Sequence, residues 1–337
     1  MSNGNTTQTM SNSNLLKVGA LNINGLTPIN ECEIVSLLDK GDFDVFMLSE
    51  THRRENELRS PLCFQGYDIY RIERGENDRL GGGLATLVKK DIPSMLYEGS
   101  VDTKYSKVLK ERQWILISTG GMKLAIASVY FACETTRRAD HGVNNQLLIE
   151  LLFQEVNRLR QRGYKVIAMG DFNAHLGENL ANGGVPGSGH PENQNGKIMK
   201  EFMRANDLSL MNTHPPAKGI FTREAFVGPN RRHVKSVLDY GVVESDLVET
   251  ITSFVLDSDK NYRVTSDHCV IEATLRLVGS VQRLRWSVSR VSYNLPEEGG
   301  DYSRYQKKVK DSLKLISQDN FATLPHENQL KFLTETI

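Results

Sequence analysis

Apolar residues along the chain fall into short runs that stop at polar groups. Leu16–Ile23 is apolar and β-prone and predicts a first strand. Val45, Phe46, Met47 and Leu48 mark a short buried strand over Asp44–Ser49. Similar runs predict strands over Gly83–Val88, Trp114–Ser118, Lys123–Tyr130, Val166–Met169, Leu238–Val243 and Cys269–Leu275. Helical spacing lies between them. Asn30–Lys40 carries Ile34, Val35, Leu37 and Leu38 on one stripe, and Asn145–Arg162 carries Leu147, Leu148, Leu151, Leu152, Val156 and Leu159. Arg158, Arg160 and Arg162 complement the end of that second helix, and Gly163 stops it. Lys197–Asn206 predicts a third. Gly177–Asn195, rich in Gly, Asn and Pro, reads as a long loop, and loops of that length are usually functional or disordered.

The pattern also sets boundaries. Residues 1–14 offer little to bury and predict a disordered tail. They lack the basic start and apolar run of a signal peptide, and no apolar stretch is long enough to cross a bilayer. The expected compartment is therefore the cytosol or nucleus. After Leu277 the periodicity breaks down. A folded domain over 15–277 is expected, with 278–337 a linker or the truncated start of a following region. Within that region Tyr305–Leu315 reads as a basic amphipathic helix.

Composition narrows the function classes. With 41 basic and 41 acidic residues the chain is formally neutral, so any surface that grips a polyanion must be local. Cys32, Cys63, Cys133 and Cys269 are widely spaced, form no C-x-x-C pair and read as packed, reduced thiols.

The candidate chemistry sits where the apolar runs stop. Asn22 and Asn24 end the first strand, Glu50 follows the second, and Tyr130 ends Lys123–Tyr130. Asp171 and Asn173 follow Val166–Met169, Asp239 opens the strand near 238, and Asp267 and His268 precede the last strand. Each alone reads as turn or surface chemistry. Together, on successive strand tips, they predict one polar site, because open α/β sheets place ligands at strand ends.

The ordered motifs Leu-Asn-Ile-Asn-Gly-Leu (21–26), Ser-Glu-Thr-His (49–52), Gly-Gly-Gly-Leu-Ala (81–85), Val-Tyr (129–130), Met-Gly-Asp-Phe-Asn-Ala (169–174), Leu-Asp-Tyr (238–240) and Ser-Asp-His (266–268) resemble the endonuclease/exonuclease/phosphatase family. Asn-Gln-Asn-Gly (193–196) and Asn-Thr-His (212–214) resemble its apurinic-type branch in non-LTR retrotransposons. That resemblance implies a four-layer α/β/β/α sandwich of two packed mixed sheets. It implies a Mg²⁺-dependent endonuclease, with Mn²⁺ as a substitute ion. Glu50, Asp267 and Asn24 would hold the metal; Asn24 stands where the family often has Asp, which removes a charge and bears on a second metal site. Asp171 would serve as base or water-orienting group, oriented by Asn22. Asn173, sharing a face with Asp171 in extended backbone, would donate to the phosphate. Asp239 would fix the His268 tautomer and favour its imidazolium. Tyr130 would orient the phosphate or stabilise the leaving oxygen.

The expected partner is DNA. Arg137, Arg231, Arg232 and Lys235 are candidate phosphate contacts, and Thr222 and Ser236 resemble positions that line the groove in this branch. Lys104, Lys107, Lys110 and Arg112 read as ordinary surface. The resemblance further implies nicking that leaves a 3′-hydroxyl for target-primed reverse transcription in the nucleus. No aromatic-x-Asp-Asp motif is present, so a reverse transcriptase is expected downstream. Oligomeric state is not legible. The rival readings are a same-fold phosphodiesterase acting on abasic DNA, RNA, phosphoinositide or lipid, an inactive element fragment, and a domesticated binding module. The last predicts loss of Glu50, Asp171, Asp267 or His268, and all four are present.

Overall fold

A computed structural model of the chain describes residues 14–54, 63–73, 82–97, 111–118, 121–133, 145–186, 188–215, 217–227 and 229–277. The expectations for residues 1–13, for 278–337 with its Tyr305–Leu315 helix, and for Lys104, Lys107, Lys110 and Arg137 fall outside these residues.

Two large mixed sheets form the framework among the described residues. The first comprises β1 (Leu15–Asn22), β2 (Val45–Ser49), β3 (Tyr67–Ile72), β4 (Leu84–Lys89), β10 (Ala217–Lys218), β14 (Ile251–Leu256) and β15 (Ile271–Arg276), in the order β10-β14-β15-β1-β2-β4-β3. The second comprises β5 (Ser94–Leu96), β6 (Arg112–Ser118), β7 (Lys123–Tyr130), β8 (Tyr164–Asp171), β9 (Leu208–Leu210) and β13 (Asp239–Glu244), in the order β5-β6-β7-β8-β13-β9. A separate hairpin pairs β11 (Arg223–Val227) with β12 (Arg232–Ser236).

Strand alternation assigns each apolar residue to a layer. Val18, Ala20, Val45 and Met47 of the first sheet meet Ile115, Ile126, Ile167 and Met169 of the second in the inter-sheet core. On the outer face of the first sheet, Phe46 and Leu48 pack under Ile34, Leu37 and Leu38 of helix α1 (Pro28–Gly41). On the outer face of the second, Trp114, Ala127 and Val166 pack under α2 (Asn145–Gln161) and α3 (Gln194–Ala205). The result is the expected α/β/β/α sandwich. Local chemistry agrees with it at α1. Thr27 caps the start by accepting from Asn30 N, Pro28 takes the first turn, and Lys40 sits in the last.

Two expectations change. Arg112 is not ordinary surface: it is buried, with Nε and a terminal nitrogen donating to both oxygens of Glu155 on α2 at 2.7 Å each, and Trp114 Nε1 joins them at 2.9 Å. A charge can be buried there because it is paired bidentately. Cys269 is packed as expected, but Cys32, Cys63 and Cys133 are exposed; none of the four forms a disulfide.

Register brings the strand tips to one end. The parallel pairs β1/β2 and β7/β8 end together, with Asn22 beside Ser49 and Tyr130 beside Asp171. Antiparallel β13 begins at that same end and pairs Asp239 directly with Asp171. Gly170 permits the packing: its φ is +144°, and a Cβ there would lie 2.1 Å from Val129 O.

Candidate active site

The site is assembled around one amide. Asn22, buried at the tip of β1, donates from Nδ2 to Glu50 Oε1 (2.8 Å) and to Asp171 Oδ2 (2.9 Å), using both amide hydrogens. Its Oδ1 accepts from Asn24 N at 3.0 Å, which fixes the amide's orientation. Asn22 thereby ties a carboxylate on the first sheet to one on the second.

Asp171 and His268 form the buried half. His268 Nδ1 lies 2.8 Å from Asp239 Oδ2, and its Nε2 lies 3.9 Å from Asp171 Oδ2. Burial alone would push the imidazole down, but the facing Asp239 and Asp171 charges overcome it and raise His268 to about 9. Asp171 is raised to about 7, first by burial and then by Asp239, against the opposing effect of His268. The pair is thus set to hold a proton at the histidine and to exchange one at Asp171 near neutrality.

Glu50 forms the more open half. Burial raises it, yet hydrogen bonds from His52, Asn22 and Tyr130 outweigh that and hold its carboxyl below the ordinary range. His52 Nε2 is 3.1 Å from Glu50 Oε2, and the Glu50 side chain is 18% exposed. Tyr130 is raised well above its ordinary value, first by burial and then by Glu50 and Asp171, so its hydroxyl stays protonated. Asp267 Oδ1 accepts from Asn24 Nδ2 (3.2 Å), and Oδ2 accepts from Arg223 Nε (2.8 Å). An ionised, partly open carboxylate with amide and carboxylate oxygens beside it is a donor set suited to a hard divalent ion such as Mg²⁺. A second cluster, Asp171, Asp239 and His268, has donor atoms within 4.8 Å of one another. The histidine proton already supplies the positive charge there.

Backbone conformation shows how firmly these groups are placed. Asn24, Glu50, His52 and Asn173 all have φ between +44° and +54°, a region non-glycine residues rarely occupy and one that gathers at functional sites. This corrects the expectation for Asn173. It is not extended beside Asp171; in the left-handed turn its N donates to Asp171 Oδ1 (2.8 Å), and its Nδ2 to Asp171 Oδ2 (3.0 Å) and Phe131 O (2.8 Å).

The supposed groove residues divide. Arg231 and Arg232 are exposed on the β11–β12 hairpin, with Arg231 over the Phe226 ring, and Lys235 pairs with Glu224 at 3.4 Å. Thr222 is fully buried instead. Its Oγ1 accepts from Leu238 N (2.9 Å) and Asp239 N (3.0 Å), so it presents no surface to a nucleic acid and holds the backbone of Asp239. Ser236 is likewise buried, paired with Arg223 in the hairpin.

Several residues were missed by the sequence reading. Ser266 Oγ donates to Asn22 O (2.7 Å) and accepts from His268 N (3.1 Å), locking the Ser-Asp-His segment to β1. Asn195 Nδ2 supports the Asn173 turn through Asn173 O and Ala132 O, both at 3.1 Å. Asn212 does the same for β13, donating to Asp239 O and accepting from Gly241 N. Ser266, Asn195 and Asn212 stood inside motifs already singled out. Nothing local marked Arg223.

Comparison with known proteins places the sequence in a family and the fold among solved structures. The sequence profile described as the Endonuclease/Exonuclease/phosphatase family matches residues 19–268. The AP endonuclease LMAP from Leishmania major superposes with a TM-score of 0.61 at 16% identity, covering 78% of this chain and 88% of that one. The Xenopus laevis APE2 catalytic domain gives 0.58 at 17% identity over 81% and 94%. The endonuclease domain of TRAS1, a telomere-specific non-LTR retrotransposon, gives 0.53 at 15% identity over 78% and 99%. At these identities the likeness establishes the shared fold. No curated protein sequence matches the chain.

Proposed function

We infer the activity from one premise: the chain belongs to the endonuclease/exonuclease/phosphatase family and is a metal-dependent hydrolase. Its best-supported reaction is hydrolysis of a phosphodiester within DNA, leaving a 3′-hydroxyl. The observation that carries this is the single amide of Asn22 joining Glu50 to Asp171, with His268 3.9 Å from the same Asp171 oxygen.

Each group has a task suited to its state. Asp171, poised near neutrality, accepts the proton of the attacking water. The imidazolium of His268, oriented by Asp239, faces the charge that builds on the phosphate. As the water oxygen bonds to phosphorus the bond to the 3′ oxygen breaks; the electron pair stays on that oxygen, which takes a proton from solvent to become the 3′-hydroxyl, and the Tyr130 hydroxyl, on the Glu50 side, would stabilise it as it leaves. A divalent ion held by Glu50, with Asp267 and Asn24 as the further candidate ligands, would neutralise phosphate charge when bound. Asn173 would donate to the phosphate after releasing one of its bonds to Asp171 or Phe131 O.

Arg231 and Arg232, exposed on the hairpin, offer contacts to a phosphate backbone. The similar structures include DNA-acting enzymes, which supports DNA as the substrate. Priming of reverse transcription in a nuclear mobile element is the role we propose for such a nick.

The test compares intact supercoiled plasmid, an abasic duplex, RNA and phosphoinositide vesicles, each with Mg²⁺ or with chelator. Plasmid nicks that a DNA polymerase extends without prior end repair are expected. Preference for the vesicles, or nicks that resist extension until treated, would overturn the assignment.

A further inference from the structure

Asp267 differs from Glu50 and Asp171 in one partner. Both oxygens of all three accept from nitrogen donors, but at Asp267 one donor is a guanidinium: Oδ1 accepts from the neutral Asn24 amide and Oδ2 from Arg223 Nε at 2.8 Å. Arg223 is not there by chance of side-chain reach. It opens β11, its backbone forms a β-bridge with His268, and the next residue, Glu224, donates from N to Asp267 O at 2.8 Å. The hairpin therefore delivers Arg223 to Asp267 through the main chain. A guanidinium stays charged at every working pH. Asn24 adds no charge, so Asn24, Asp267 and Arg223 together are formally neutral. Glu50 is the contrast: among the described residues it pairs with no Lys or Arg, only with His52.

The geometry points to Arg223 as a built-in cation at Asp267. The site then takes one divalent ion, through Glu50, where Asp267 would otherwise help recruit a second. A dication approaching Asp267 meets a fixed positive charge within a few ångströms, which Glu50 does not present. This rests on the metal-dependent reading above and makes Arg223 a positioning residue for metal stoichiometry.

The test is equilibrium Mn²⁺ binding to the full chain without DNA, read from the electron paramagnetic resonance of free Mn²⁺. The native protein is expected to bind one ion, Glu50→Gln none, Arg223→Lys one and Arg223→Gln two. Asn24→Asp, which restores a net negative charge beside Asp267 with Arg223 retained, is expected to take up a second, weaker ion and serves if Arg223→Gln fails to fold. Two ions in the native protein, or one ion in both Arg223→Gln and Asn24→Asp, overturns the inference. Retention of the ion by Glu50→Gln overturns it too. One native ion, two in Arg223→Gln, and no nicking of DNA would leave the inference standing and sink the proposed activity.

Discussion

Asp239 and His268 lie 29 positions apart in sequence and 2.8 Å apart in space. Their pairing was legible through the family resemblance, which makes Asp239 the partner of His268. The raised values of Asp171 and His268 have a consequence for the rate. Asp171 gives up its proton as pH rises through about 7, and His268 gives up its own as pH rises through about 9. If the first must be ionised and the second protonated, nicking should rise through the lower value and fall through the higher. Asp239→Asn removes the charge that holds the imidazolium, so the alkaline limb should move to lower pH and the His268 ring resonances should titrate with it. An unmoved alkaline limb would exclude His268 as its source. The bonding of Asn173 was not legible, because a left-handed turn leaves no trace in a pattern built on extended strands.

Among the elements, the strands that carry Asn22, Asp171 and Asp239 were marked by continuous apolar runs. Those at the margins were not. β3 (Tyr-Asp-Ile-Tyr-Arg-Ile) is half-buried throughout, β9 and β10 span three and two residues, and β11 and β12 carry the charged residues Arg223, Glu224, Arg232 and Lys235. Such segments lack the burial that produces a pattern. The hairpin's omission explains why Thr222 was misassigned: only its place between the hairpin and β13 turns its hydroxyl toward two backbone N–H groups. Thr222→Val keeps the shape and removes that acceptor. It should cost about 1–3 kcal/mol for each buried donor left unsatisfied, seen as a lower Tm, while the salt dependence of DNA binding stays the same. Thr222→Ser should restore most of the stability. A Thr222→Val protein with native Tm and weakened DNA binding would return Thr222 to the groove.

For the whole molecule, the layer order was legible through the family resemblance, and the faces buried in the structure account for it. Which strand tips would meet was not legible, since the Asp239–Asp171 register joins residues far apart in sequence and depends on sheet order. Charge is organised at this scale too. The chain is neutral, so the proposed attraction to DNA must be local. Arg231→Ala and Arg232→Ala should each weaken binding across sequences and reduce the slope of log affinity against log salt by about 1. Unchanged slopes in both variants would place the DNA path elsewhere.

We propose that one site, joined by Asn22, hydrolyses phosphodiesters through Asp171 and His268. The most direct measurement is single-turnover nicking of supercoiled plasmid in Mg²⁺ by the native chain, Asp171→Ala and His268→Ala, with folding of each checked by circular dichroism. Native nicking is expected, with a loss of about 10²-fold or more in either variant, the scale of removing a proton-transfer group. Native-like rates in folded Asp171→Ala or His268→Ala would contradict it.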